Sequence, residues 1–560
     1  MQSKKNIKKI LIFLLLLFIV IRLIFILKSD YVFNEEENKH ASMASDMYYF
    51  GKFKIPFFMY LDTPHAGGGQ ITSLLLIPIF FITGPRIISI KLLGIIISAF
   101  WFLILLKIFA KIFESKFLKS KGERFQKSNF IFIFLIIPLF IISSPHLLYK
   151  SLFIIGNTNL FILMIVLSLF FVINYHKLTI TQFLFLFGIF NGIALYSNYS
   201  YLSILVVNLA FVIDRIIKTK IIKNNNAFVK LKLFLLFCLG FIISLFPYII
   251  YNIIYKLPSI FAEFAVSALL KGISTNISLE FIFTRFIKTL ISLIQSYHFI
   301  NISLLSSKIQ SYVISTIIIV TIIITEITRL KHKRFFKVNK NNILDFTFFI
   351  TRLYFISSFL LISIFNIHLH SYGFSSTHQM AHYYVVHLQF LLILYFYLSF
   401  ISIYRRFFNK IKKQIKTFNI YKIITIIIIT SILFLNFGLT ILNDNFNEHI
   451  FLKQRFDSNI NAYESGFNFV NNEQIFILGL NKLKEDVYKE NYIKGAVHRL
   501  IRVGNKEKLS KTLLILNDSN KKIFIDSYNE FITISELEGI NNTITDNPHS
   551  ILAEINELNK

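Results

Sequence analysis

The stretch from Asn34 to Gly51 gathers Glu35, Glu36, Glu37 and Asp46, with Asp30 and Asp62 on either side. Carboxylates at this density suit two tasks. They can orient a hydroxyl group and take its proton as it attacks. They can also start a helix: Asn34 suits an N-cap, the glutamates fill the first turn, and Glu37 stands where a capping box closes. Capping accounts for the three glutamates but not for Asp30, Asp46 and Asp62. A second set is basic. Lys271, Arg285 and Lys288, between Lys256 and Lys308, can stabilise an anionic phosphate leaving group, or simply face solvent and lipid headgroups. A third set is His368, His370, His378, His382 and His387, five of 14 histidines within twenty residues. His378 and His382 stand four apart, so on one helix face both imidazoles can reach a zinc ion. Hydrogen bonding to a donor phosphate or sugar is an equally open reading of them, and ordinary interface packing is favoured over both.

The elements that must position these groups are membrane helices. The chain has 560 residues, 55% of them hydrophobic, with 65 Phe among long Ile and Leu runs. An apolar run of about 20 residues crosses a bilayer core, and many such runs occur. The fold class is therefore an all-α polytopic membrane protein. The first run, Ile10 to Leu27, has the basic flank of a signal peptide but no small-residue cleavage site after it, so it reads as a retained span. Cys238, the only cysteine, excludes an intramolecular disulfide and argues against a cysteine-based metal site. The net charge of +29 reads as basic cytoplasmic loops rather than a nucleic-acid surface.

Charge divides the chain. Residues 443–560 hold 14 Lys and Arg and 17 Asp and Glu, with no run long enough to span. Residues 1–442 hold 45 basic and 13 acidic residues, and six of those acids lie between Asp30 and Asp62. Lys4, Lys5, Lys8 and Lys9 hold the N-terminus in the cytoplasm, so the first span exits outward. Ile71 to Thr83 is short and contains Pro78, whereas Ile87 to Leu106 is long enough to cross. If both crossed, the loop from Lys107 to Ser128, with seven basic residues, would face outward. Parity therefore predicts that Ile71 to Thr83 is a helix at the outer interface. Further spans are expected near 129–144, 160–174, 180–196, 199–213, 233–254, 310–326, 345–366, 384–403 and 419–442. That makes about eleven, with the N-terminus inside and the C-terminus outside. Residues 443–560 read as a small α/β extracytoplasmic domain, with short strands in "NEQIFILG", "KTLLILND" and "KKIFID". Glu326 and Asp345, near cytoplasmic ends, read as helix-end charges. Arg22 and Arg352 are the ionisable groups deep within spans.

The order of features from Asn34 to Gly94 resembles the opening of GT-C glycosyltransferases, of the protein O-mannosyltransferase and lipid A aminoarabinose transferase type. In that family the first outer loop (28–86 here) begins with an acidic pair, matched by Glu36-Glu37. A helix ending in glycine follows (Gly51), then a proline-containing turn (Asp62-Thr63-Pro64-His65). A juxtamembrane helix closes on another glycine (Gly84), and the second span carries an early cation, here Lys91 in place of Arg. "HYYVVHLQFLLIL", from His382, is similar to the Arg-Tyr-containing start of a late span. The likeness covers roughly the first 110 residues, is weaker to Leu442 and is absent from the tail.

The resemblance implies a transmembrane transferase domain over 1–442 that moves a hexosyl or pentosyl group from a polyprenyl-phosphate donor. The acceptor is a lipid, polysaccharide or protein on the outer face of a bacterial cytoplasmic (inner) membrane. Glu36 is then the catalytic base and Glu37 orients it or contacts the acceptor. Asp62 completes the acidic floor. Lys271, Arg285 and Lys288 meet the phosphate, and His382 and Tyr383 contact the donor. The partners are the donor, membrane lipid and the acceptor, with no nucleic acid. No cofactor is implied, and a divalent metal rests on the histidine spacing alone. Two other classes stay open: a transporter or flippase for a lipid-linked saccharide, and a silent glycan-binding membrane protein. A transporter usually carries midplane charged sites and inverted repeats, and no repeat is visible in this sequence.

Overall fold

A computed structural model describes residues 2–28, 70–84, 87–117, 158–218, 227–254, 307–331, 342–365 and 378–411, with a few isolated positions between them. Ten α-helices lie within these segments, and no strand occurs among the described residues. They are α1 (Gln2–Lys28), α2 (Gln70–Thr83), α3 (Ile87–Phe117), α4 (Thr158–Asn174) and α5 (Ile180–Ser197). Then come α6 (Leu202–Lys218), α7 (Ala227–Ile254), α8 (Ser307–Lys331), α9 (Ile343–Phe365) and α10 (His378–Ile411). Isoleucine and phenylalanine are mediocre helix formers in water. In lipid the backbone must satisfy its own hydrogen bonds, so long runs of them still become helices.

Helices cover every span expected from the sequence except 129–144 and 419–442, which lie almost wholly outside the described residues. The expected tail domain, 443–560, lies outside them entirely. Among the described residues, five helical stretches are long and apolar enough to cross a bilayer: Ile88–Phe113, Asn159–Lys177, Ile180–Ser197, Ala227–Phe246 and Ile343–Leu361. The chain is thus a helical, membrane-embedded protein.

The short helix α2 forms where expected, with Pro78 inside it. Its 14 residues rise about 21 Å, less than the roughly 30 Å of a hydrocarbon core. Gly84 ends it at φ 79°, a left-handed conformation that glycine adopts without a steric penalty. The turn into α3 is tied by Ser89, which donates to the Gly84 carbonyl at 2.6 Å and meets the Thr83 hydroxyl at 2.7 Å.

Cross-helix pairs give the helix directions. Gly94 and Lys111 of α3 meet Asn159 and Asn174 of α4, so these two run parallel. Phe161, Ser168 and Tyr175 meet Tyr201, Asn208 and Arg215 at a constant offset, so α6 is parallel to α4. Trp101 and Phe109 meet Phe390 and Tyr397, which sets α10 parallel to α3. Phe171–Phe190 and Tyr175–Phe183 make α5 antiparallel to α4. Asn208–Tyr354 and Phe211–Phe346 make α9 antiparallel to α6. Glu326–Arg352 and Arg329–Asp345 then place α8 antiparallel to α9. Helix α7 lies parallel to α5 through Gly188–Phe237 and Gly192–Ser244. So α3, α4, α6, α8 and α10 share one direction and α5, α7 and α9 the other, the alternation that the sequence predicts.

Helix α4 is the middle of this bundle. Leu160 through Val166 are buried without a break, the pattern of a helix enclosed on all sides. Helix α1 joins through Phe18, whose ring stacks on Phe102 at 4.4 Å and meets the edge of Trp101 at 5.8 Å.

Candidate functional site

The helix directions sort the chain's connections into two ends. One end receives the starts of α3, α4, α6, α8 and α10 and the last residues of α5, α7 and α9. Segments 255–306 and 366–377 join helices there, and 45–69 leads into α2, which meets the start of α3 through Gly84. We call this the loop end. The other end carries Lys111, Lys177, Arg215, Lys218 and Arg329 and is the basic end.

Of the residues assigned chemistry from the sequence, Glu36, Glu37, Asp62, Lys271, Arg285 and Lys288 lie outside the described residues. His382 and Tyr383 fall in the first turns of α10, where the backbone is described and the side chains are not. His378 begins the same helix, so the His378/His382 pair does have helical spacing. Phe286, between Arg285 and Lys288, packs its ring 5.7 Å from Phe359, in the loop-end part of α9.

Below the loop end the interior is aromatic, with a few buried polar groups. The Trp101 indole donates to Asn159 Oδ1 at 2.8 Å, and Asn159 Nδ2 donates to the Gly94 carbonyl at 2.9 Å. His387 is 5% exposed and lies 4.7 Å from the Phe161 ring. Its Nε2 has no hydrogen-bond partner among the described residues. Two cations are buried as well. The Arg22 guanidinium sits over the Phe18 ring at 3.2 Å and donates to the Phe18 carbonyl. Lys91, one turn into α3, is 3% exposed.

Deeper in the bundle lies a polar cluster that reading the sequence does not reveal. The Tyr354 hydroxyl donates to Asn208 Oδ1 at 2.6 Å and meets the Ser168 hydroxyl at 2.7 Å. Asn208 Nδ2 donates to Asn191 Oδ1 at 2.7 Å, which also accepts from Tyr201 at 3.1 Å. Asn191 Nδ2 donates back to the Phe187 carbonyl at 2.6 Å. The cluster is uncharged and its members satisfy one another. It joins α4, α5, α6 and α9 as a structural tie. In sequence each of these residues is a lone polar letter in an apolar run.

Toward the basic end, Glu326 departs from its reading as a helix-end charge. Its carboxylate accepts from Arg352 Nη1 of α9 at 3.1 Å and from the Tyr395 hydroxyl of α10, so it links three helices. Arg352 is thereby neutralised within its span. Asp345 keeps the helix-end role: Asn342 accepts its backbone N–H at 3.4 Å at the start of α9, and Arg329 lies 3.6 Å away. Among the described residues no three His, Cys, Asp or Glu side chains converge. No family model, curated protein or solved structure matches the chain.

Proposed function

We propose that this protein is a GT-C-type membrane glycosyltransferase that takes its sugar from a polyprenyl-phosphate donor and works on the extracytoplasmic face of a bacterial cytoplasmic membrane. One observation carries the reading. The segment bearing the basic cluster and the start of the histidine-bearing helix attach at one end of the bundle, opposite the basic end, and α2, which follows the acidic cluster in the chain, meets the start of α3 at that same end. A site assembled from distant loops needs that convergence. The Glu36-Glu37 pair, the Asp62 turn, Gly84 and Lys91 add their order along the chain.

In the proposed reaction an acceptor hydroxyl attacks the anomeric carbon of the donor. Glu36 takes the hydroxyl proton while the bond from that carbon to the phosphate oxygen breaks, releasing polyprenyl phosphate. Glu37 orients Glu36 or holds the acceptor, and Asp62 borders the site. Lys271, Arg285 and Lys288 stabilise the departing phosphate, which needs positive charge more than a proton. His382 and Tyr383 contact the donor from the start of α10. The lipid tail lies along the bundle's apolar flank.

The test is Glu36→Gln at matched membrane expression, beside Glu35→Gln and Glu37→Gln. Turnover should fall about a hundredfold or more in Glu36→Gln, the scale of losing a general base. Glu35→Gln should be nearly normal, and donor binding should hold in all three. Three equally active variants would mean that the carboxylates only start a helix. A protein that moves the lipid-linked sugar across vesicles without transferring it would make the chain a flippase.

A further inference from the structure

Among the described residues at the basic end, four cations have a partner of opposite sign. Lys218 and Arg215 pair with Asp214, Arg329 with Asp345, and Arg352 with Glu326. The corner where α3 and α4 finish is different. Lys111 Nζ donates to Asn174 Oδ1 at 2.9 Å and to the Ile173 carbonyl at 3.3 Å, both neutral acceptors at the end of α4. Lys177, in the single 3-10 turn after α4, lies close enough to Lys111 for the two ammonium groups to repel, and the His176 imidazole is beside them. Lys107 is one turn back along α3 and exposed. Among the described residues no carboxylate pairs with any of these four.

The corner also lies at a defined depth. The apolar stretches of the two helices end at Phe113 and Lys177, so the basic groups sit where hydrocarbon gives way to headgroups. Like charges held together at that level need a counter-anion. Lys111 is held in place by its two bonds, so its position is set before any anion arrives. A phosphodiester brought by a lipid would sit between Lys111 and Lys177, with its acyl chains running along the apolar flank of α3 and α4. We infer that the Lys107–Lys111–His176–Lys177 corner is a binding site for the headgroup of an anionic phospholipid. This site is at the opposite end from the proposed chemistry and stands independently of it.

The probe is phosphatidylglycerol, compared with phosphatidylcholine, added to the purified full-length protein and read by native mass spectrometry and thermal shift. Phosphatidylglycerol should be retained in preference. Lys177→Gln, which removes an exposed charge without touching the Lys111 bonds, should weaken retention about fivefold, the effect of one basic residue at an anionic surface. Lys111→Gln with Lys177→Gln should weaken it further. Lys232→Gln, an exposed lysine near the start of α7, should leave it unchanged. Equal losses from Lys177→Gln and Lys232→Gln would reduce the effect to general surface charge and overturn the site. So would unchanged retention in the double variant, or inorganic phosphate stabilising the protein as well as the lipid does.

Discussion

Helices α5 and α7 are held together differently from α8, α9 and α10. In the first seam the backbones approach because side chains are missing. A Cβ on Gly188 would meet the Phe237 carbonyl oxygen, and one on Gly240 would meet that of Phe185. Gly192 faces Ser244, whose hydroxyl folds back onto the Phe241 carbonyl at 2.9 Å. Gly188 and Gly192, like Gly240 and Ser244, are four apart, so each helix offers a small-residue stripe to the other. In the second seam the side chains are large and charged. Glu326 joins Arg352 and Tyr395, while the Arg329 guanidinium lies 4.5 Å over the Phe348 ring. The contrast follows from the solvent. Lipid is as apolar as the helix faces, so burial alone does not bring two helices together. Close van der Waals contact or a polar tie must do so. Each seam uses one of these.

The largest effect is expected where a charge is stranded. Arg352→Gln leaves the Glu326 carboxylate half-buried without its cation, and should cost about 3 kcal/mol of stability. Detergent-induced unfolding followed by helix signal would measure it. Glu326→Gln combined with Arg352→Gln should recover much of that loss. Strictly additive losses would break the claim that charge pairing holds this seam.

The glycine seam should respond to a single methyl group. Gly188→Ala and Gly240→Ala each force one backbone away from the other and should each cost about 2 kcal/mol, by overpacking. Gly192→Ala should cost less, because part of its clash is with the Ser244 side chain, which can rotate. Thermal shift in detergent gives the ranking. Equal tolerance at all three positions would mean that the helices do not depend on close approach.

The neutral cluster should be the mildest of the three. Tyr354→Phe removes one hydroxyl, but Asn208 and Ser168 still bond each other at 2.8 Å. The cost should be about 0.6 kcal/mol, typical of a hydrogen bond between membrane helices. A loss as large as that of Arg352→Gln would place this cluster, rather than the ion pairs, at the centre of stability.

Much of the helical framework was legible from the sequence alone. Apolar runs located the helices, because a backbone in lipid has few alternatives. Counting Lys and Arg by loop gave the alternation of direction that the cross-helix pairs display, since charge is costly to move across a bilayer. Pro78, Gly84 and the shortness of the run between them marked α2. The acidic stretch, the basic loop and the histidine cluster were also visible as composition.

Which helix faces which neighbour was decided only by the tertiary structure. An all-round apolar helix such as α4 has no polar side to point away from the core, and its lipid-facing and protein-facing residues are the same types. For the same reason Ser168, Asn191 and Asn208 stand in the sequence as separate polar residues in apolar runs, and Glu326 reads as a charge at a helix end. Their side-chain partners lie outside the same helix, from 7 residues away along the chain (Tyr201 for Asn208) to 186 (Tyr354 for Ser168). Hydropathy and charge act on each segment separately and so are written locally. A hydrogen bond or ion pair between helices exists only once both are packed, and no local pattern records it.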